Sequence, residues 1–79
     1  MNALPELSPK DRVIKTFEQL GYRLVREETH IAMTRYTSDG LVIPLTIPNH
    51  TFLKASTIKI ILTRAGIPRN SYLEAYDKS

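Results

Sequence analysis

The segment from His30 to Ile47 constrains the fold more than any other part of the chain. His30 to Tyr36 is rich in β-formers, Thr37-Ser38-Asp39-Gly40 supplies the Asp-Gly pair that hairpin turns favour, and Leu41 to Ile47 follows as a second arm. In that arm Leu41, Ile43, Leu45 and Ile47 recur with period two. They share one face and assign it to the core, while Val42, Pro44 and Thr46 point the other way. Pro44 has no N–H to donate to a ladder, which puts the arm at a sheet edge or a bulge within it. In the first arm Ile31 and Met33 are the matching core pair, provided the turn contains an odd residue that shifts the register. His30, Ala32 and Thr34 then fall on the outer face beside Thr46, which collects an imidazole and hydroxyls on one open surface.

The rest of the chain supplies helices and a third strand. Ser8-Pro9-Lys10-Asp11 places a hydroxyl cap before a proline and an acidic side chain in the first turn, so a helix over residues 9–20 is expected. Val13, Ile14, Phe17 and Leu20 form its apolar stripe, and Gly21 stands where a left-handed cap ends it. Tyr22 to Glu27 reads as a short strand, and Pro48 to Lys54 as a connection. Ser56 is the expected cap of a second helix with Ile58, Ile61, Leu62 and Ala65 on its buried side, Lys59, Thr63 and Arg64 outward, and Gly66 at its end. Arg69 to Tyr76, with Tyr72, Leu73 and Tyr76 at helical spacing, predicts a terminal helix that packs on the core or docks a partner. Helix, three-stranded antiparallel sheet, helix and short C-terminal helix make an α+β fold with one sheet face free. The double-stranded-RNA-binding fold is the comparison this order suggests, and such modules contact phosphates and 2′-hydroxyls.

The chain has 79 residues, enough for one domain spanning 1–79 and too few for a multidomain enzyme. Without cysteine there is no disulfide and no thiolate metal site, and two histidines lacking a carboxylate cluster give no expectation of zinc. Stability is expected from the core, a partner subunit, or both. No apolar run approaches the roughly 20 residues that span a bilayer, and the first 20 residues hold no signal-peptide core; a cytoplasmic protein without membrane contact is expected. The net charge of +3 is unevenly placed: residues 1–28 are neutral, whereas residues 29–73 carry Arg35, Lys54, Lys59, Arg64 and Arg69 against Asp39 alone. Such a concentration is the electrostatic footprint of a nucleic-acid surface, or simply a solvated basic face.

Familiar catalytic templates are missing: there is no phosphate-binding glycine loop, no His-Glu-x-x-His helix, no credible carboxylate pair and no cysteine nucleophile. Phosphate chemistry on RNA needs less. The 2′-hydroxyl is a built-in nucleophile, so cleavage requires a base, an acid and cations for the charge that develops on phosphate. His30 follows Glu28-Thr29 at the head of a strand and is the candidate acid or base, since imidazole exchanges protons near neutral pH. The residues alone also allow a surface histidine without a role. His50, in Pro48-Asn49-His50-Thr51, reads equally as a loop residue that bonds backbone.

Leu53-Lys54-Ala55-Ser56-Thr57-Ile58 followed by Ile61-Leu62-Thr63-Arg64-Ala65-Gly66-Ile67 resembles the second-helix signature of HicA-type toxins. Leu4-Pro5, Ser8-Pro9-Lys10, Val13-Ile14-Lys15, Leu20-Gly21-Tyr22, Val25-Arg26, His30, Asp39-Gly40 and Ile47-Pro48-Asn49-His50 occur in the order found in that family. The resemblance implies an mRNA interferase of a toxin–antitoxin pair, with the same double-stranded-RNA-binding-like fold. It implies a metal-independent endoribonuclease, active without a cofactor, that blocks translation by cleaving mRNA in the cytoplasm during stress. His30 takes the position of the family's catalytic histidine, and a HicB-like antitoxin is the implied protein partner. Lys54, Lys59 and Arg35 are the cationic candidates for RNA binding. The chain departs from the common pattern at Glu28-Thr29, where Gly-Ser is usual, and at Ala55, where glycine is usual. A non-catalytic RNA-binding module is the alternative reading, and a protein-interaction domain using the Tyr72, Leu73 and Tyr76 stripe is a third.

Overall fold

In the computed structural model, which describes residues 3–79, the chain runs β1 (Leu7–Pro9), α1 (Lys10–Gln19), β2 (Arg23–Glu27), β3 (His30–Tyr36), β4 (Val42–Pro48), β5 (Phe52–Lys54), α2 (Ala55–Ala65) and α3 (Arg69–Asp77). The hairpin forms as expected, with Ile31 opposite Ile47 and Met33 opposite Leu45 on the core side. Three antiparallel strands lie in the order β2-β3-β4, so β4 takes the edge position that Pro44 requires. Leu45 and Ile47 are buried, but the alternating stripe frays toward the turn, where Leu41 is 63% exposed.

The segment expected to be only a connection contains β5, which pairs antiparallel with β1, placing Ser8 opposite Leu53 and Pro9 opposite Phe52. This two-stranded ladder takes over the role assigned to side-chain caps. The Lys10 N–H donates to the Thr51 carbonyl at 2.9 Å, and the Ala55 N–H donates to the Glu6 carbonyl at 3.0 Å, so each helix start is satisfied by backbone across the ladder. Neither serine caps its helix. Pro9 and Lys54 occupy the cap positions, Ser56 lies inside the first turn of α2, and Ser8 is buried with an unpartnered hydroxyl. At its other end α2 stops as expected on Gly66 at φ 71°, with the Ile67 N–H donating to the Leu62 carbonyl at 2.9 Å.

The core joins Val13 and Phe17 of α1 with Tyr22, the inner residues of β3 and β4, Leu53, and the apolar faces of α2 and α3. Tyr72 and Tyr76 belong to it, so the stripe considered for partner docking is mostly internal. Phe17 contacts Tyr22 edge-on at 5.9 Å between centroids and tilts against Tyr72 at 5.5 Å. Arg12 fastens the last helix across the first. Its Nη2 and Nε donate to the Tyr76 carbonyl at 2.9 and 3.3 Å, and its guanidinium carbon lies 3.8 Å from the Tyr76 ring centroid. The Tyr72 hydroxyl is buried without a hydrogen-bond partner. Burial first, and the neighbouring Tyr76 second, push its ionisation well above the ordinary phenol range, with Arg12 acting in the opposite sense.

Candidate functional site

His30 opens β3 directly after a tight turn. The Glu28 N–H donates to the His30 carbonyl at 3.1 Å, closing the chain reversal from β2. Asn49 holds the turn from the opposite strand end: its Nδ2 donates to the Glu28 carbonyl at 2.7 Å, and its backbone N–H donates to the Thr29 carbonyl at 3.3 Å. Lys10 braces Asn49 in turn, donating from Nζ to Oδ1 at 2.9 Å, and it also pairs with the Glu27 carboxylate at 3.3 Å. The helix start, the Pro48-Asn49-His50 loop and the turn before His30 thus form one hydrogen-bonded unit. The Glu28 carboxylate lies 4.0 Å from Arg26. His50 is exposed, and its N–H donates to the Pro48 carbonyl at 2.9 Å.

His30 lines an open cavity of about 290 Å³. Thr46 and Pro48 share its sheet-side wall, and Thr57, Ile60, Ile61 and Arg64 of α2 form the other. Spacing by three and four residues puts those helix positions on one face, so the composition of this wall follows from the α2 sequence. Arg64 also borders a neighbouring cavity of about 230 Å³ with Pro44, Leu45 and Ala65, which sets its side chain between the two. A histidine, an arginine and two threonines therefore border one concavity, a set of residue types suited to a phosphodiester.

The cations expected from the sequence are distributed differently. Arg35 shares its register side with Ile31 and Met33, opposite Ile43, and therefore lies on the face away from His30. Its guanidinium carbon lies 5.7 Å from the Tyr22 ring centroid, and it runs beside Gly21. Lys59 borders a separate cavity with Ser56 and Arg69, and Lys54 is exposed at the end of β5. The cation that shares a cavity with His30 is Arg64, which the sequence marked only as one outward residue of a helix and one of several basic residues in the second part of the chain. The Thr57, Ile60, Ile61, Arg64 spacing was the available signal, but the partner surface for that face is set by tertiary packing.

A family model described as the HicA toxin of bacterial toxin–antitoxin systems matches residues 11–67. No curated protein and no solved structure matches the chain. Among the described residues no helix is long and apolar enough to cross a membrane.

Proposed function

The chain belongs to the HicA toxin family of bacterial toxin–antitoxin systems, and from that premise we propose that it is an endoribonuclease that cleaves mRNA by activating the RNA's own 2′-hydroxyl. The observation that carries this reading is the shared cavity of His30 and Arg64. In the proposed step the 2′-oxygen attacks the adjacent phosphorus, the P–O5′ bond breaks, and the products are a 2′,3′-cyclic phosphate and a 5′-hydroxyl. His30 moves a proton as the base toward O2′ or as the acid toward O5′, and solvent completes the balance at the other oxygen. The Arg64 guanidinium stabilises the charge that builds on the non-bridging oxygens, and Thr57 and Thr46 supply hydroxyls from the two walls of the same cavity. Lys54 and Lys59 serve flanking phosphates, and Arg35 is assigned to packing against Tyr22.

A HicB-like antitoxin that covers this concavity is the proposed protein partner, and binding only the folded toxin it would stabilise this small core by mass action. The cytoplasm, where mRNA is translated, is the proposed site of action. The test compares the unaltered protein, His30→Ala and Arg64→Ala on an RNA and on a DNA strand of the same sequence. His30→Ala is expected to lose cleavage, and Arg64→Ala to lose about a hundredfold or more in kcat. Undiminished RNA cleavage by His30→Ala removes it from the mechanism, and equal cleavage of DNA rules out 2′-hydroxyl attack. RNA binding with a steep salt dependence and no turnover selects the non-catalytic module instead.

A further inference from the structure

The sheet face that carries His30 extends beyond the cavity. Alternation along β3 sends Ala32, Thr34 and Tyr36 to the same side, opposite Thr46, Pro44 and Val42 of β4. The floor is made of small or flat side chains, and it ends at Tyr36, whose surface is 60% exposed. Charge reaches this face from β2 by way of a bulge. Arg23 lies opposite Thr34 and Arg26 opposite Ala32, with Val25 as the extra residue between them. On a regular strand two residues three apart point to opposite faces, and the bulge returns both arginines to the side of His30.

No register position on this face of the three strands carries Asp or Glu. Glu27 lies opposite Ile31 on the other face, where it meets Lys10. The Glu28 carboxylate, in the turn, makes an exposed 4.0 Å approach to Arg26, a weak pair in water. Arg64 bounds the β4 side through the two cavities it lines.

We infer that this face is a track for single-stranded RNA, in which Tyr36 stacks on a base remote from the scissile phosphate while Arg23 and Arg26 meet the backbone. The inference rests on the nuclease reading for where the scissile phosphate sits. An exposed aromatic at the end of a flat floor is a stacking platform for an unpaired base. A duplex keeps its bases inside and offers such a ring no partner. Six residues at about 3.3 Å each separate Tyr36 from His30 by about 20 Å. That length corresponds to about six nucleotides of stacked strand, and fewer when the strand is extended.

The test measures binding of labelled oligouridylates, from a dinucleotide to about ten nucleotides, to the His30→Ala protein, so that turnover does not enter. Affinity is expected to rise with length until the strand reaches Tyr36. Adding Tyr36→Ala is expected to weaken the long oligomer by about five- to a hundredfold and leave the dinucleotide unchanged, with Tyr36→Phe restoring affinity. Arg23→Ala and Arg26→Ala are each expected to lower the salt slope by about 0.7. Full affinity of Tyr36→Ala for long oligomers overturns the track, as does an equal loss on the dinucleotide or on duplex RNA. An effect of Tyr36 confined to binding a protein assigns the face to that protein and overturns it too. In all these outcomes the nuclease reading stands, whereas absence of RNA affinity at every length removes that reading itself.

Discussion

Asn49→Ala tests the brace beneath His30. The substitution removes the 2.7 Å bond from Nδ2 to the Glu28 carbonyl and the 2.9 Å bond that Oδ1 accepts from Lys10. The first is a neutral amide–carbonyl bond, about 1 kcal/mol in net terms. The second is charge-assisted, but Lys10 remains partly solvated and keeps Glu27, so its loss is also about 1 kcal/mol at most. Together they predict a destabilisation of about 1–2 kcal/mol, which lowers Tm by about 4–16 °C in a domain of this size. Circular dichroism melts read the stability, and single-turnover RNA cleavage reads the placement of His30. Asn49→Asp separates the two: a carboxylate still accepts from Lys10, recovering part of the stability, but it cannot donate to Glu28, so cleavage remains depressed. If Asn49→Ala melts within about 1 °C of the unaltered protein and cleaves at the same rate, the brace contributes nothing and the reasoning is wrong.

Two further substitutions address the core and a helix end. Tyr72→Phe deletes a buried, unpartnered hydroxyl and keeps the ring against Phe17 and Tyr76, so the variant is expected to be more stable by about 1 kcal/mol in urea titration. A loss of stability would reveal a partner for that hydroxyl. The same group sets a pH dependence: because its ionisation is raised on folding, its contribution is complete below the unfolded phenol value of about 10 and declines as pH rises above it. Tyr72→Phe should therefore flatten the stability profile between neutral and strongly alkaline pH. Gly66→Ala meets no atom within 4 Å, so its cost comes from the backbone at φ 71° alone, about 1–2 kcal/mol by the same titration. An unchanged midpoint would mean that the helix ends in another conformation.

The hairpin was legible because alternation and the Asp-Gly turn act locally, and the helices because their apolar spacing survives without knowledge of neighbours. The β1/β5 ladder was hidden by its size: three-residue strands carry no measurable period, and one of them contains Pro9. Once that ladder forms, cross-strand carbonyls satisfy the first helical N–H groups, which is why Ser8 and Ser56 do not act as caps. For Arg35 the signal was present, since the parity that sends Ile31 and Met33 inward sends Arg35 with them. The juxtaposition of Arg64 with His30 was not present in any local pattern, because it depends on how α2 lies along β4.

The bulge at Val25 makes the charge of one sheet face depend on strand register as well as on which residues are charged. Deleting Val25 would leave net charge untouched and join Leu24 to Arg26 in an unbroken ladder, where regular alternation keeps Arg23 and Arg26, then two apart, on the same side. A single-codon deletion there is thus neutral for that surface, whereas drawing Val25 into regular register would turn one guanidinium away without mutating an arginine. Among aligned relatives such a deletion would be recorded as a gap beside two intact basic positions, and a survey that scored the gap as damage would count as lost a surface that regular alternation preserves.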